Sequence, residues 1–149
     1  MAEKYVRERT AIRKVIHEIL TGRVLYIDPA SKDLGWAISQ GGHIVESGSL
    51  HAKGHIAQRL NLMGEGIELL TDGGDFDVVV VEKVRGPRGH IMLLWSVGVA
   101  IAASGAPVSL EIPCPMWFEA KDEQYMKGDE EDARYIAQWV LGFAKGEYL

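Results

Sequence analysis

Asp28 closes the apolar run Val24-Leu25-Tyr26-Ile27, and Glu82 closes a second, Val78-Val79-Val80-Val81. A carboxylate set beside such residues is costly to bury unless it is paired or holds a metal. The plainer alternative is that each acid ends its strand and points to water. A second pair, Asp129 and Asp132, lies three residues apart, which puts both on one face of a helix. That stripe continues through Ile136, Trp139, Val140 and Phe143, the apolar side that must meet the rest of the protein. Asp129 also suits an N-cap, and Asp132 a first helical turn. Glu130 and Glu131 fall to the sides and read as solvated. Four carboxylates from two strands and one helix are all oxygen donors, which suits Mg²⁺ or Mn²⁺ rather than zinc. Two such ions about 3.5–4 Å apart would clamp the attacking water and the leaving oxygen of a phosphodiester.

The elements that must position these acids can be read from periodicity. Tyr5, Ile12, Val15, Ile16 and Ile19 have helical spacing over 4–20, and Gly22 marks its end. Residues 23–28 read as a strand. Residues 35–40 and 43–50 read as two more, joined at Gly41-Gly42 by a two-residue hairpin. Ile56, Leu60, Met63, Ile67 and Leu70 form the stripe of a helix over 55–70, followed by a turn at 72–75. Residues 77–82 are apolar without alternation, the pattern of a central strand covered on both faces. A basic, Gly/Pro-rich loop at 83–90 leads to a helix at 90–104 and a strand at 107–112. An irregular Pro-rich turn with Trp117 precedes the last helix, at 129–143. The order implies one α/β layer structure, an antiparallel hairpin with two later strands joined by crossovers.

Composition narrows the function classes. With 149 residues, 47% apolar and 25% charged, the chain suits a single globular domain with a sizeable core. One cysteine, Cys114, excludes an internal disulfide framework and a Cys-rich zinc site. The opening MAEKYVRERT has no apolar h-region, so a cytoplasmic location is expected. Residues 91–110 carry no charge, long enough for a membrane span, but Ser104-Gly105-Ala106-Pro107 cuts them into a buried helix and a strand. No membrane is expected. The net charge of −5 looks unfavourable for nucleic acid, yet a carboxylate-rich metal site contributes to that total, so net charge decides nothing.

Three segments carry a resemblance to a known family. Ile27-Asp28-Pro29-Ala30-Ser31-Lys32-Asp33-Leu34-Gly35-Trp36-Ala37 resembles the first-strand motif of RuvC-type Holliday junction resolvases, I-D-P-G-x-x-x-x-G-x-A/G. Val80-Val81-Glu82-Lys83-Val84 is similar to their fourth-strand glutamate motif, and Gly128-Asp129-Glu130-Glu131-Asp132-Ala133 to the D-x-x-D-A that opens their last helix. The order agrees, and the resemblance covers 23 to about 143. It implies an RNase H-like mixed sheet, an antiparallel three-stranded meander plus two parallel strands, flanked by helices. It also implies a homodimer that cuts four-way DNA junctions with divalent metal, Asp28, Glu82, Asp129 and Asp132 being the catalytic metal ligands. Lys121 falls where the family often has functional lysines, which implies phosphate binding. Ala30 replaces the family's usual glycine. The segment between Lys121 and Asp129 is short, Val84-Arg85-Gly86 stands where bacterial members can carry a wedging aromatic, and residues 1–22 are an N-terminal helical addition to a nuclease domain at 23–149. These departures fit a divergent, phage-borne member acting in a host cytoplasm, and they bear on junction selectivity more than on nuclease chemistry.

Cations are placed to hold DNA. Lys83, Arg85, Arg88 and His90 cluster beside Glu82, and Lys32 and Lys53 flank Asp28. Arg and Lys contacts to phosphates supply most sequence-independent affinity, although Arg85-Gly86-Pro87-Arg88 also reads as a solvated turn. His43, His51 and His55 read as ordinary surface or packing residues. Gly98 and Ala102, four apart in an apolar helix, allow close approach of either the sheet or a partner helix. With the resemblance, this points to a homodimer through that helix, aided by the N-terminal one. The reading is a metal-dependent endonuclease cleaving four-way or branched DNA with two Mg²⁺ or Mn²⁺ ions. The alternatives are a broader flap nuclease of the same fold and a catalytically silent nucleic-acid-binding module. An actin-like nucleotide-binding domain is disfavoured, because 149 residues cannot supply its second lobe.

Overall fold

The computed structural model describes residues 5–29, 33–72, 74–83, 91–113, 116–117, 120 and 129–148, the side chains of 91–96 and 129 excepted. The elements are α1 (Val6–Arg13), α2 (Ile16–Thr21), β1 (Arg23–Pro29), β2 (Asp33–Gln40), β3 (His43–His51), α3 (Ile56–Leu70), β4 (Val78–Glu82), α4 (Ile91–Ser104), β5 (Val108–Ile112) and α5 (Asp129–Ala144). Five strands form one sheet in the order β3-β2-β1-β4-β5. β1 pairs antiparallel with β2 and β2 with β3, while β4 lies parallel to both β1 and β5. This is the mixed sheet that the motif order implies.

The apolar run of β1 is needed because both of its faces are covered. Val24 and Tyr26 join Val78, Val80, Leu110 and Ile112 in a cluster with α5. Leu25 and Ile27 join Val79, Val81, Met63 and Ile67 in a second cluster beneath α3 and α4. Strand alternation divides the residues between the two layers. Gly41 and Gly42 adopt φ of 61° and 85°, the left-handed conformations that a two-residue turn matching strand twist requires. The hairpin then carries a one-residue bulge. Gln40 faces His43 and Ser39 faces Ile44, but Ile38 faces Glu46, and the shifted register holds to Asp33 opposite His51.

Three expectations need correction. The helix over 4–20 is two helices, broken at Lys14-Val15, where Val15 adopts a non-helical φ of −126° and ψ of 23°. The break lets both pieces follow α5 and the sheet, with Ile12 and Ile19 fully buried in the α5-side core. Gly22 ends α2 in an extended conformation rather than a left-handed one. Its lack of a side chain matters because a Cβ there would overlap the Asp77 carboxylate, which accepts the Arg23 N–H at 2.9 Å. Ile56 is 59% exposed instead of joining the α3 stripe, since it lies in the first turn, ahead of the residues that reach the sheet. α4 stops before Gly105, whose φ of 67° turns the chain into β5. Among the described residues no helix is long and apolar enough to cross a membrane.

Candidate functional site

Ile27 pairs with Val81 in the parallel β1–β4 ladder, so Asp28 and Glu82 are the next residues at the carboxyl ends of neighbouring strands. Parallel strands lie about 4.8 Å apart, and residues at one level point to the same face. Tyr26 and Val80 fix that face, because both lie in the cluster packed against α5. Asp28 is 5% exposed and Glu82 is half-buried. Ligands at strand ends of this kind gather in the crevice beyond the sheet's carboxyl edge.

α5 covers the same face. Ala133, Ile136, Ala137 and Val140 are buried against the sheet, and α5 packs across β1, β2 and β3. Its first turn is tied down where Ser47 Oγ donates to Glu130 Oε1 at 2.9 Å. Ser47 pairs with Ala37, and Ala37 with Tyr26, so this bond stands one same-face row below Asp28. Glu130 and Glu131 are both half-buried, which corrects their reading as solvated. Asp132 is half-buried too, immediately before the fully buried Ala133. The backbone of Asp129 opens α5, while its side chain lies outside the described residues.

Among the described residues, no three His, Cys, Asp or Glu side chains gather closely enough to hold a metal ion. Asp28 and Glu82 are brought to one level. Completion of a four-carboxylate set rests on the first turn of α5, which includes the Asp129 side chain. The donors are all oxygens, and the more buried of them terminates an apolar strand; this chemistry fits a hard divalent cation.

The expected DNA contacts fare unevenly. Lys83 is exposed directly after Glu82, its N–H bonded to the Ile112 carbonyl at 2.8 Å and its Nζ 3.9 Å from Glu111 Oε1. Arg7 of α1 lines the same shallow groove. Lys53 is exposed just past β3. Lys32, Arg85, Arg88, His90 and Lys121 lie outside the described residues, as does Ala30. Gly98 and Ala102 are exposed on α4, so their small size does not serve packing against the sheet.

The sequence reading missed a polar row beside Asp28. Asp28 pairs with Gly35, and Gly35 with Ser49, while Asp33 faces His51 one row further out. Ser49 Oγ is 3.1 Å from His51 Nε2, and His51 Nδ1 is hydrogen-bonded to Asp33 Oδ1. His51 is therefore not an isolated surface residue. Only the hairpin bulge makes this alignment, and it has no marker in the local sequence. Deeper in the sheet, Tyr26 bonds Ser39 at 2.9 Å; burial pushes its phenol well above the ordinary range, an effect partly offset by that bond.

No protein-family model matches the chain, and no curated protein matches it. Solved structures do. RuvC of Thermus thermophilus in complex with a Holliday junction substrate superposes with a TM-score of 0.65 at 15% identity, covering 84% of this chain and 96% of RuvC. The same RuvC in a second structure gives a TM-score of 0.62 at 15% identity, with coverages of 84% and 97%. The yeast mitochondrial Holliday junction resolvase Ydc2 gives 0.58 at 11% identity, over 90% of this chain and 86% of Ydc2. The chain thus has the RuvC-like, RNase H-like fold.

Proposed function

We propose that the protein is a metal-dependent endonuclease acting on branched DNA, with four-way junctions as its substrate. The observation that carries this reading is the levelling of Asp28 and Glu82 at adjacent parallel strand ends, with the helix that opens at Asp129 packed across β1. A module that only bound nucleic acid would have no use for a buried carboxylate at that position. The likeness in fold to two resolvases supports the choice of substrate.

Asp28 and Glu82 would hold the cations from the sheet, and Asp129 and Asp132 from the helix. Two divalent ions bound there supply positive charge for the attacking and leaving oxygens of an in-line phosphodiester hydrolysis. The protein's own part is positioning. The β1–β4 ladder fixes two carboxylates, and the Ser47–Glu130 bond fixes the turn that carries the other pair. Lys32, Lys83, Arg85, Arg88 and Lys121 supply phosphate contacts around the acids. Gly98 and Ala102, facing outward from an apolar α4, favour a homodimer, which pairs two sites for paired cuts across a junction.

The test is cleavage of a labelled synthetic four-way junction beside linear duplex and flap DNA, with Mg²⁺, Mn²⁺ or EDTA. Paired, metal-dependent nicks across the junction are expected. Cutting confined to flaps or duplex would move the function to a broader nuclease. Binding without cutting under every metal would overturn the catalytic assignments.

A further inference from the structure

We propose that Ser49 is a phosphate-binding hydroxyl on the floor of this site, with His51 and Asp33 as the residues that orient it. The inference rests on the nuclease reading and extends it to a substrate contact on β3.

Register places the group. Ser47 bonds Glu130 of α5, so the odd-numbered residues of β3 beyond the bulge face the α5 side. Ser49 is in the same row as Gly35 and Asp28, two antiparallel spacings or about 10 Å from the Asp28 backbone. Gly35 contributes no side chain between them. A strand crossing from Asp28 toward β3 meets backbone there and then the Ser49 hydroxyl. That span equals the rise of about three nucleotides at 3.4 Å each. The phosphate contacted by Ser49 is therefore about three nucleotides from the cleaved one.

The hydrogen bonds decide what Ser49 can offer. Asp33 accepts the Nδ1–H of His51, which leaves Nε2 facing Ser49. With the imidazole neutral, Nε2 accepts a hydrogen bond donated by the Ser49 hydroxyl, so Ser49 shows only lone pairs to its other side. With the imidazole protonated, Nε2–H donates to Ser49 Oγ, and the hydroxyl proton is released toward the row shared with Gly35 and Asp28. Only that state gives a phosphate oxygen a donor. Acid favours the protonated imidazole, so the contact strengthens as pH falls. The charged groups facing the run are Asp33 on β2, Asp28 on β1, Glu130 and Asp132 on α5, and Lys53 just past β3; of these, Asp33 alone bonds His51 among the described residues.

The alternative is that the run merely staples the open end of β2 to β3. Binding of a labelled four-way junction by the full chain in EDTA, at pH 8 and pH 6, separates the two. The wild type is expected to gain on the order of three- to tenfold in affinity at pH 6. Ser49→Ala and His51→Gln should each lose most of the gain. The double variant should lose no more than either single one, since the two act as a unit. Ser49→Thr, which keeps a hydroxyl, should retain the gain, and it carries the test if the alanine variant does not fold. Full retention of the gain by Ser49→Ala would overturn the proposal, as would a wild type that binds the junction with no gain; the nuclease reading would survive both. A wild type that binds no DNA at either pH would remove the nuclease reading and this contact with it.

Discussion

Asp28 and Glu82 stand at one level of the sheet, each immediately after the Ile27–Val81 pair of the parallel ladder. They are 54 positions apart in the chain, and the crossover through α3 brings them side by side. Removing either charge tests whether that meeting is catalytic. Asp28→Asn and Glu82→Gln should each lower junction cleavage by about 10³-fold, the scale of several kcal/mol of lost charge stabilisation. Junction binding and thermal unfolding should stay near wild type. EDTA should abolish wild-type cleavage, and added Mg²⁺ or Mn²⁺ should restore it. Loss of fold in both variants would make the acids structural.

Ser47 and Glu130 anchor the first turn of α5 to β3. Ser47→Ala should cost about 1 kcal/mol in urea unfolding, the ordinary worth of one hydrogen bond. It should also slow cleavage several-fold at saturating metal, because Asp129 and Asp132 are carried by the turn it holds. Unchanged cleavage with lowered stability would show that the bond serves the fold alone.

A Cβ at residue 22 would overlap both the Glu18 backbone carbonyl and the Asp77 carboxylate, so no side chain fits there. Gly22→Ala should destabilise by about 1–3 kcal/mol, as overpacking does. Adding Asp77→Ala should recover part of the loss, and a double-mutant cycle measured by urea unfolding checks the coupling.

Ile12 and Ile19 are fully buried against the α5-side core. Ile12→Ala and Ile19→Ala should each cost about 2–5 kcal/mol. If residues 1–22 were a dispensable addition, both substitutions would leave the unfolding midpoint unchanged.

Tyr26 is buried with its hydroxyl on Ser39, and burial raises its phenol above the ordinary value near 10. Above that value the unfolded chain ionises first, so this contribution is intact at lower pH and is lost as pH rises beyond about 10. Stability measured from pH 8 to 11 should decline more steeply in the wild type than in Tyr26→Phe. Parallel profiles would assign the alkaline loss to other groups.

The strands and the hairpin turn are legible in the local sequence, and the four acids stand out there as candidate ligands. Those signals are local: Val78–Val81 reads as a doubly covered strand because nothing polar interrupts it, and Gly41-Gly42 as a turn because both residues must take positive φ. Helical spacing runs on through Val15 although the helix breaks there, since apolar spacing does not register a local break. The tertiary structure decided which side chains share a face. Counted straight back from the Gly41-Gly42 turn, Asp33 falls opposite Leu50. The bulge at Val45 moves the register by one, and with a side-chain period of two that reverses every later residue of β3. Leu50 turns to the α3 side, while Ser47, Ser49 and His51 turn to the side of Asp28 and α5. No local pattern marks the bulge. It sets which face of β3 packs against α3 and which lies beside the carboxylates, and that choice depends on tertiary packing, including that of α5, far along the chain.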